Sequence, residues 1–171
     1  VRYGNVLLSR GSVIPLFINQ IKKNQDITVT NKNMTRFLMP LDRAIELVFV
    51  ALTKSNNGSI FIHRAKSSNI LNLAKSLIKI YKSKSNIKII GNRLGEKLHE
   101  VLVSEEELKH SLKFKDYFEI KMQNTELNYN KYFTEGQKNL KDNEYSSKTS
   151  DQLSLNELTS IIKQEIKKEN I

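Results

Sequence analysis

The period of the apolar residues changes repeatedly along this chain, and that alternation constrains the fold more than any other feature. Residues 1–8 are an uninterrupted, mostly apolar run that reads as a buried strand. Ser9-Arg10-Gly11-Ser12 is a turn, and Ser12 is placed to cap a helix over residues 13–23, with Pro15 in the first turn where its missing N–H costs little. Ile27, Thr28, Val29 and Thr30 form a short β-branched strand. After an Asn31-Lys32-Asn33 turn and the segment Met34-Thr35-Arg36-Phe37-Leu38, the spacing returns to three and four. Leu41, Ala44, Ile45, Val48 and Leu52 predict a helix from Pro40 that stops before Asn56-Asn57-Gly58. Residues 59–63 predict a strand. Ser67 and Ser68 are candidate caps for a second amphipathic helix carrying Ile70, Leu73, Ala74, Leu77 and Tyr81. Residues 87–90 predict another strand, ended by Gly91-Asn92; residues 93–108 read as helical or turn-like, and residues 117–121 as a strand. Residues 123–148 are polar and irregular, with Tyr129, Tyr132 and Phe133 expected to pin them to the body. Ser154-Leu155-Asn156-Glu157 has capping-box form and opens a last helix. Strands alternating with helices predict an α/β fold.

A chain of 171 residues is long enough for one domain with a real core. It lacks cysteine, which excludes a disulfide scaffold and a thiolate metal site, and agrees with a reducing, cytoplasmic setting. The longest apolar run, residues 47–52, is far short of a bilayer span, and no secretory leader is expected. Val1 opens directly into the apolar run, so the chain is expected to be the downstream piece of something longer. A net charge of +10 raises the question of nucleic acid, but the lysines are scattered instead of forming a stripe interleaved with aromatics, which favours a solvated surface and no nucleic-acid partner.

Against that lysine background arginine is rare: six of the 28 basic residues. Arginine offers a planar fork that grips carboxylate or phosphate through two bonds, where lysine offers a point charge. Arg2, Arg36 and Arg93 lie in segments rich in Gly, Asn or Thr, far apart in sequence, which points to one converging anion site. Arg36 and Arg93 both fall beyond strand ends, where open α/β folds bind ligands. Arg93 and Glu96 are three apart, so in a helical turn they would share a side; a cation for phosphate and a carboxylate for vicinal hydroxyls would suit a nucleotide, but the spacing alone favours an internal Arg–Glu pair with a structural role. His63, His99 and His110 are too scattered for a metal site, and no residue set here is a credible catalytic acid, base or nucleophile.

Five segments in order carry a more specific signal. Val1-Arg2-Tyr3-Gly4-Asn5-Val6, Ser9-Arg10-Gly11-Ser12-Val13-Ile14-Pro15, Met34-Thr35-Arg36-Phe37, Gly95-Glu96-Lys97-Leu98-His99-Glu100 and Leu127-Asn128-Tyr129-Asn130-Lys131-Tyr132-Phe133 resemble the capsular-polysaccharide-type UDP-N-acetylglucosamine 4,6-dehydratase/5-epimerases. These are extended short-chain dehydrogenases, with relatives labelled UDP-glucose 4-epimerase. Residues 147–158 are similar to that family's C-terminal extension. The resemblance implies the last Rossmann strands and UDP-sugar-binding subdomain over residues 1–122, and a C-terminal extension with a final helix over residues 123–171. It implies NAD or NADP held by an N-terminal half that carries a glycine-rich loop and a Tyr-x-x-x-Lys pair, both missing from this chain. For the residues kept it implies substrate binding: Asn5 and the arginines Arg36 and Arg93 on the diphosphate, Ser12, Val13 and Thr28 along the uracil, Glu96 on the ribose.

The implied activity is that of the substrate-binding half of a UDP-N-acetylglucosamine-type dehydratase/epimerase for surface polysaccharide. A UDP-glucose 4-epimerase is the alternative, or an inactive fragment that needs a separate N-terminal fragment or a homo-oligomer. Alone the chain is expected not to turn over, and half a wound sheet is expected to leave an exposed strand edge and an uncovered apolar face on the first strand. Three positions depart from the family pattern: Leu8 replaces a small residue and threatens to crowd the sugar, Pro40 replaces a capping hydroxyl, and Arg64-Ala65-Lys66 replaces a more apolar turn.

Overall fold

A computed structural model describes residues 1–55, 58–121 and 144–169. In chain order the elements are β1 (Asn5–Val6), α1 (Val13–Lys22), β2 (Ile27–Val29), β3 (Thr35–Met39), α2 (Leu41–Lys54), β4 (Ile60–His63), β5 (Ser67–Asn69), α3 (Ile70–Tyr81), β6 (Ile87–Ile89), β7 (Val101–Val103), α4 (Glu105–Lys109), β8 (Ser111–Lys113), β9 (Tyr117–Ile120), β10 (Tyr145–Ser146) and α5 (Leu155–Lys168). The architecture is mixed α/β, with both parallel and antiparallel pairs. β1 runs parallel to β3, which pairs antiparallel with β5; β2 runs parallel to β6; β4, β9 and β8 form an antiparallel sheet, and β7 pairs with β10.

Gly4 explains why β1 can lie against β3, since a Cβ there would collide with Cβ of Phe37. Ahead of it, Arg2 makes a parallel bridge to Ile62 of β4, so the opening run crosses from one sheet to the other. The Arg2 fork then holds both carboxylate oxygens of Glu107 at 2.8 and 3.0 Å and the carbonyl of Leu102 at 2.9 Å. That arginine is a structural tie between the opening strand and the β7–α4 corner.

Two buried clusters result. In the first, Ile14, Phe17, Ile18 and Ile21 of α1 meet Leu73, Ala74 and Leu77 of α3 and Leu158 and Ile162 of α5, with Ile27 and Val29 of β2 beneath. Each helix contributes residues at the three- and four-residue spacing that makes one face. In the second, Phe37, Met39, Ala44, Ile62, Val103 and Phe118 pack together. The Tyr145 ring sits 5.3 Å from Phe37 and 5.0 Å from Phe118, and its hydroxyl donates to the Ala65 carbonyl at 2.7 Å. Burial of that phenol pushes its pKa up to about 12.

Several local expectations are corrected. Residues 1–8 are not one continuous strand: only Asn5–Val6 pairs along β3, and Leu8 leaves the ladder in the left-handed region at φ 59°. Ser12 occupies the cap position of α1 without a side-chain capping bond. Ser67 and Ser68 belong to β5, and the cap of α3 is Asn69, whose side chain accepts from Leu71 N at 2.7 Å. Residues 93–108 hold a turn, strand β7 and the start of α4, whose Ser104–Glu107 capping box the spacing analysis passed over. The two- and three-residue strands β8 and β10 are too short to leave a periodic signal. Tyr129, Tyr132 and Phe133, with the fifth motif, lie outside the described residues.

Helix α2 gives the largest surprise. Its buried residues are Ala44 and Leu47, whereas Leu41, Ile45, Val48, Phe49 and Leu52 are 38% to 73% exposed.

Candidate functional site

Five separated stretches build one cleft of about 280 Å3. The end of β1 supplies Asn5, the turn into α1 supplies Ser12 and Val13, β2 supplies Thr28, β3 supplies Arg36, and the turn after β6 supplies Arg93 and Glu96. All seven residues singled out from the sequence therefore line the same cavity, joined on the apolar side by Phe17, Val29, Met34 and Leu38. Arg2 stands apart, engaged with Glu107.

The residues meet for identifiable reasons. Gly95 takes φ 78°, and the Glu96 amide donates to the Arg93 carbonyl at 3.1 Å, so residues 93–96 close a tight turn whose third position favours glycine. This replaces the helical turn considered from the three-residue spacing. The Arg93 side chain makes no ion pair among the described residues. Glu96 instead lies 3.9 Å from Arg36 and accepts from the Arg93 backbone N–H at 3.4 Å. An internal Arg93–Glu96 side-chain pair is not what holds this turn.

Arg36 is largely occupied. One Nη donates to the carbonyls of Thr35 at 2.8 Å and Leu98 at 3.3 Å, the other to that of Lys97 at 2.8 Å, and Nε lies 3.5 Å from Glu100. Its side chain is 12% exposed. The fork sets the shape of the 96–100 loop, and Arg93 is the more available cation at the rim. Below it, Thr35 Oγ1 meets His99 Nδ1 and Ser147 Oγ, both at 2.7 Å, while the Glu100 N–H donates to Ser147 Oγ at 2.9 Å. Burial, then the charges of Lys148 and Arg36, hold the His99 pKa below its usual value. No spacing pattern foretold Ser147 or His99 as a brace, because their partners are 112 and 64 residues away.

Two polar features of the wall bear on a ligand. Ser12 Oγ is buried with no hydrogen-bond partner among the described residues, at the N-terminal turn of α1 where backbone N–H groups favour negative charge. Thr28 is turned by Gln20, whose amide donates to Thr28 Oγ1 at 2.8 Å and accepts from the Thr28 N–H at 3.2 Å. Leu8, feared as an obstruction, is buried in the first core cluster and is not among the lining residues.

Among the described residues no group of three His, Asp or Glu could hold a metal, and no helix is long and apolar enough to cross a membrane. The sequence has no glycine-rich phosphate loop. Its one Tyr-x-x-x-Lys spacing, Tyr117 to Lys121, begins on strand β9, where four residues span roughly 13 Å instead of one helical turn. These residues do not fit a dinucleotide cofactor.

The mixed α/β fold that carries this arginine-edged cleft is of the short-chain dehydrogenase kind, and Arg36, expected on a loop beyond a strand end, lies within β3. The chain belongs to the family described as "Polysaccharide biosynthesis protein", whose model matches residues 1–122. It is 47% identical over 164 residues to a UDP-glucose 4-epimerase of Rickettsia rickettsii (strain Sheila Smith), covering 94% of this chain and 48% of that protein. It is 47% identical over 162 residues to the UDP-glucose 4-epimerase of Rickettsia bellii (strain OSU 85-389), with the same coverage. Among solved structures, Pen from Bacillus thuringiensis superposes with a TM-score of 0.78 at 34% identity, over 94% of this chain and 47% of that one. The UDP-glucuronic acid 4-epimerase from Bacillus cereus, with a TM-score of 0.50, 21% identity and 57% and 33% coverage, shares the fold alone. The chain spans about half the length of the curated relatives it matches.

Proposed function

We propose that the cleft binds the nucleoside diphosphate of a UDP-sugar, and that the chain is the substrate-binding half of a nucleotide-sugar 4,6-dehydratase or epimerase. The observation that carries this is the convergence of Asn5, Ser12, Val13, Thr28, Arg36, Arg93 and Glu96 on one cavity. Arg93 neutralises the diphosphate and the Asn5 amide donates to it. Glu96 accepts from ribose hydroxyls. Ser12 Oγ, without a partner among the described residues, serves the base together with Val13 and the Thr28 edge of β2. Arg36 acts mainly by holding the 96–100 loop, a narrower role than a direct clamp. NAD or NADP is held by the other half, which supplies the oxidation at the sugar; this chain supplies binding and orientation. Residues 1–122 form the ligand-binding unit and residues 123–171 an extension, and the setting is the cytoplasm, where surface-polysaccharide precursors are made. UDP-N-acetylglucosamine-type sugars are the first candidates, from the motif resemblance; UDP-glucose is the second, favoured by the names of the 47% identical relatives.

Calorimetric titration of the purified chain with UDP, UDP-N-acetylglucosamine and UDP-glucose tests this. Binding should weaken about 10- to 100-fold in Arg93→Ala, the equivalent of one charge-assisted contact. Binding that is absent, or indifferent to that substitution, would sink the reading. Incubation with UDP-N-acetylglucosamine and NAD should yield no 4-keto sugar from the chain alone.

A further inference from the structure

The loop that carries Glu96 to the cleft is fastened by more than Arg36. One anchor is β3: the Thr35 N–H donates to the Leu98 carbonyl at 3.1 Å, and Thr35 Oγ1 meets His99 Nδ1 at 2.7 Å. The other comes from far along the chain. Ser147 follows β10 and Glu100 precedes β7, the strand paired with β10, so the two residues continue that ladder. The Ser147 N–H donates to the Glu100 carbonyl at 2.8 Å, and the Glu100 N–H donates to Ser147 Oγ at 2.9 Å. The same hydroxyl lies 2.7 Å from Thr35 Oγ1 and donates to the Thr35 carbonyl at 3.1 Å. One side chain thus ties the two anchors together. Ser147 is itself held in place: it is fully buried, and its carbonyl accepts from Ser67 Oγ at 2.6 Å and from the Gln152 amide at 3.0 Å.

The geometry points to Ser147 as a positioning residue that sets the cleft's preference for a ribose, by fixing where Glu96 presents its carboxylate. The inference rests on the proposed function, in which Glu96 accepts from ribose hydroxyls. Ser147 does not line the cleft and acts through Glu100 and Thr35. The Arg36 fork carries the effect onward, because its Nε lies 3.5 Å from Glu100 and one Nη 3.9 Å from Glu96. A carboxylate that accepts from a hydroxyl must be correctly placed in distance and angle, so a loosened loop loses that contact first. Arg93 is tethered from the other side of the turn, where the Ile90 N–H donates to the Val29 carbonyl at 2.9 Å, and its grip on phosphate does not depend on Ser147. Ser147 also lies beyond residues 1–122, the part matched by the family model, so a segment outside that match tunes a cleft inside it.

Calorimetry with UDP and with 2′,3′-dideoxy-UDP, which lacks both ribose hydroxyls, reads the Glu96 contact directly. The unsubstituted chain should prefer UDP about tenfold, the equivalent of one hydrogen bond to a charged group. Ser147→Ala should bring that preference down to about twofold or less, while affinity for the dideoxy analogue changes by no more than about twofold. Glu96→Gln/Ser147→Ala should lose no more of the preference than Glu96→Gln alone, since both act on one contact. Because Ser147→Ala could fail to fold, Thr35→Val and Thr35→Ser test the same link from β3. The preference should be lost in the first, which removes the hydroxyl at constant shape, and kept in the second. The inference is overturned if Ser147→Ala keeps the full preference, if it weakens both ligands equally, or if Thr35→Val and Thr35→Ser behave alike. An unsubstituted chain that binds no UDP, or binds UDP and the dideoxy analogue equally, strikes the proposed function instead, and this inference falls with it.

Discussion

Helices α3 and α2 present apolar stripes of comparable quality and meet opposite fates. Ile70, Leu73, Ala74 and Leu77 of α3 are sealed between α1 and α5, whereas α2 buries only Ala44 and Leu47 and leaves five large side chains in water. The difference lies in what surrounds each helix: among the described residues α3 packs on two amphipathic helices, while α2 packs mainly on β4. A hydrophobic period thus specifies a face to be covered without saying what covers it. The cleft belongs to the sealed region, walled by α1, β2 and β3.

The sharpest way to break the comparison is truncation on each side. Phe17→Ala, in the sealed cluster, should cost about 3–5 kcal/mol in denaturant unfolding, while Phe49→Ala on α2 should change stability by less than about 0.5 kcal/mol. A large Phe49 effect would mean that α2 is covered after all.

Next in size are the two cleft arginines. Arg36→Met should cost about 1.5–3 kcal/mol of stability through its lost backbone contacts. Arg93→Ala should leave the unfolding midpoint unchanged and register only in UDP affinity. Equal losses of stability would erase the distinction between brace and ligand contact.

Leu7 and Leu8 are both buried at the edge of the sealed cluster, but Leu8 alone holds a left-handed backbone. Leu8→Gly should therefore cost about 1 kcal/mol less than Leu7→Gly, because glycine relieves that strain.

The smallest effect expected is that of pH, and it acts in both regions. Burial lowers the pKa of His63 on the β4 side and of His99 under the cleft, so the unfolded chain binds protons that the folded chain refuses. That stability is fully present above about pH 6.5 and is lost as pH falls through it toward the depressed values. Melting temperature should decline between pH 7 and 5, and a His63→Gln/His99→Gln double variant should flatten the decline. In α5, Ser154 and Lys66 hold the Glu157 carboxylate down to about 2, so the protection of its first-turn amides, measured against the unfolded chain at the same pH, should begin to fall as pH drops below the usual carboxylate range.

Much of the fold and the composition of the cleft were legible in the sequence. The α/β alternation, the Ser154–Glu157 capping box and the α1, α3 and α5 faces all follow from local rules that a few neighbouring residues satisfy or violate. Arg36, Arg93 and Glu96 drew notice through the chemistry of their side chains. What the sequence left open concerns long-range partners. Arg36 turned out to be spent on carbonyls about 60 residues away, and the Thr35–His99–Ser147 brace joins residues that no local window contains.

Chain order and residue type by themselves determined the α/β alternation, the apolar faces of the longer helices and which residues carry positive charge. Tertiary structure alone decided that Arg2 ties a corner while Arg93 edges a cleft, and that the stripe of α2 looks outward. The physical reason is that propensity and periodicity are properties of neighbours in sequence, whereas burial and hydrogen-bond occupancy depend on groups that only chain folding brings near.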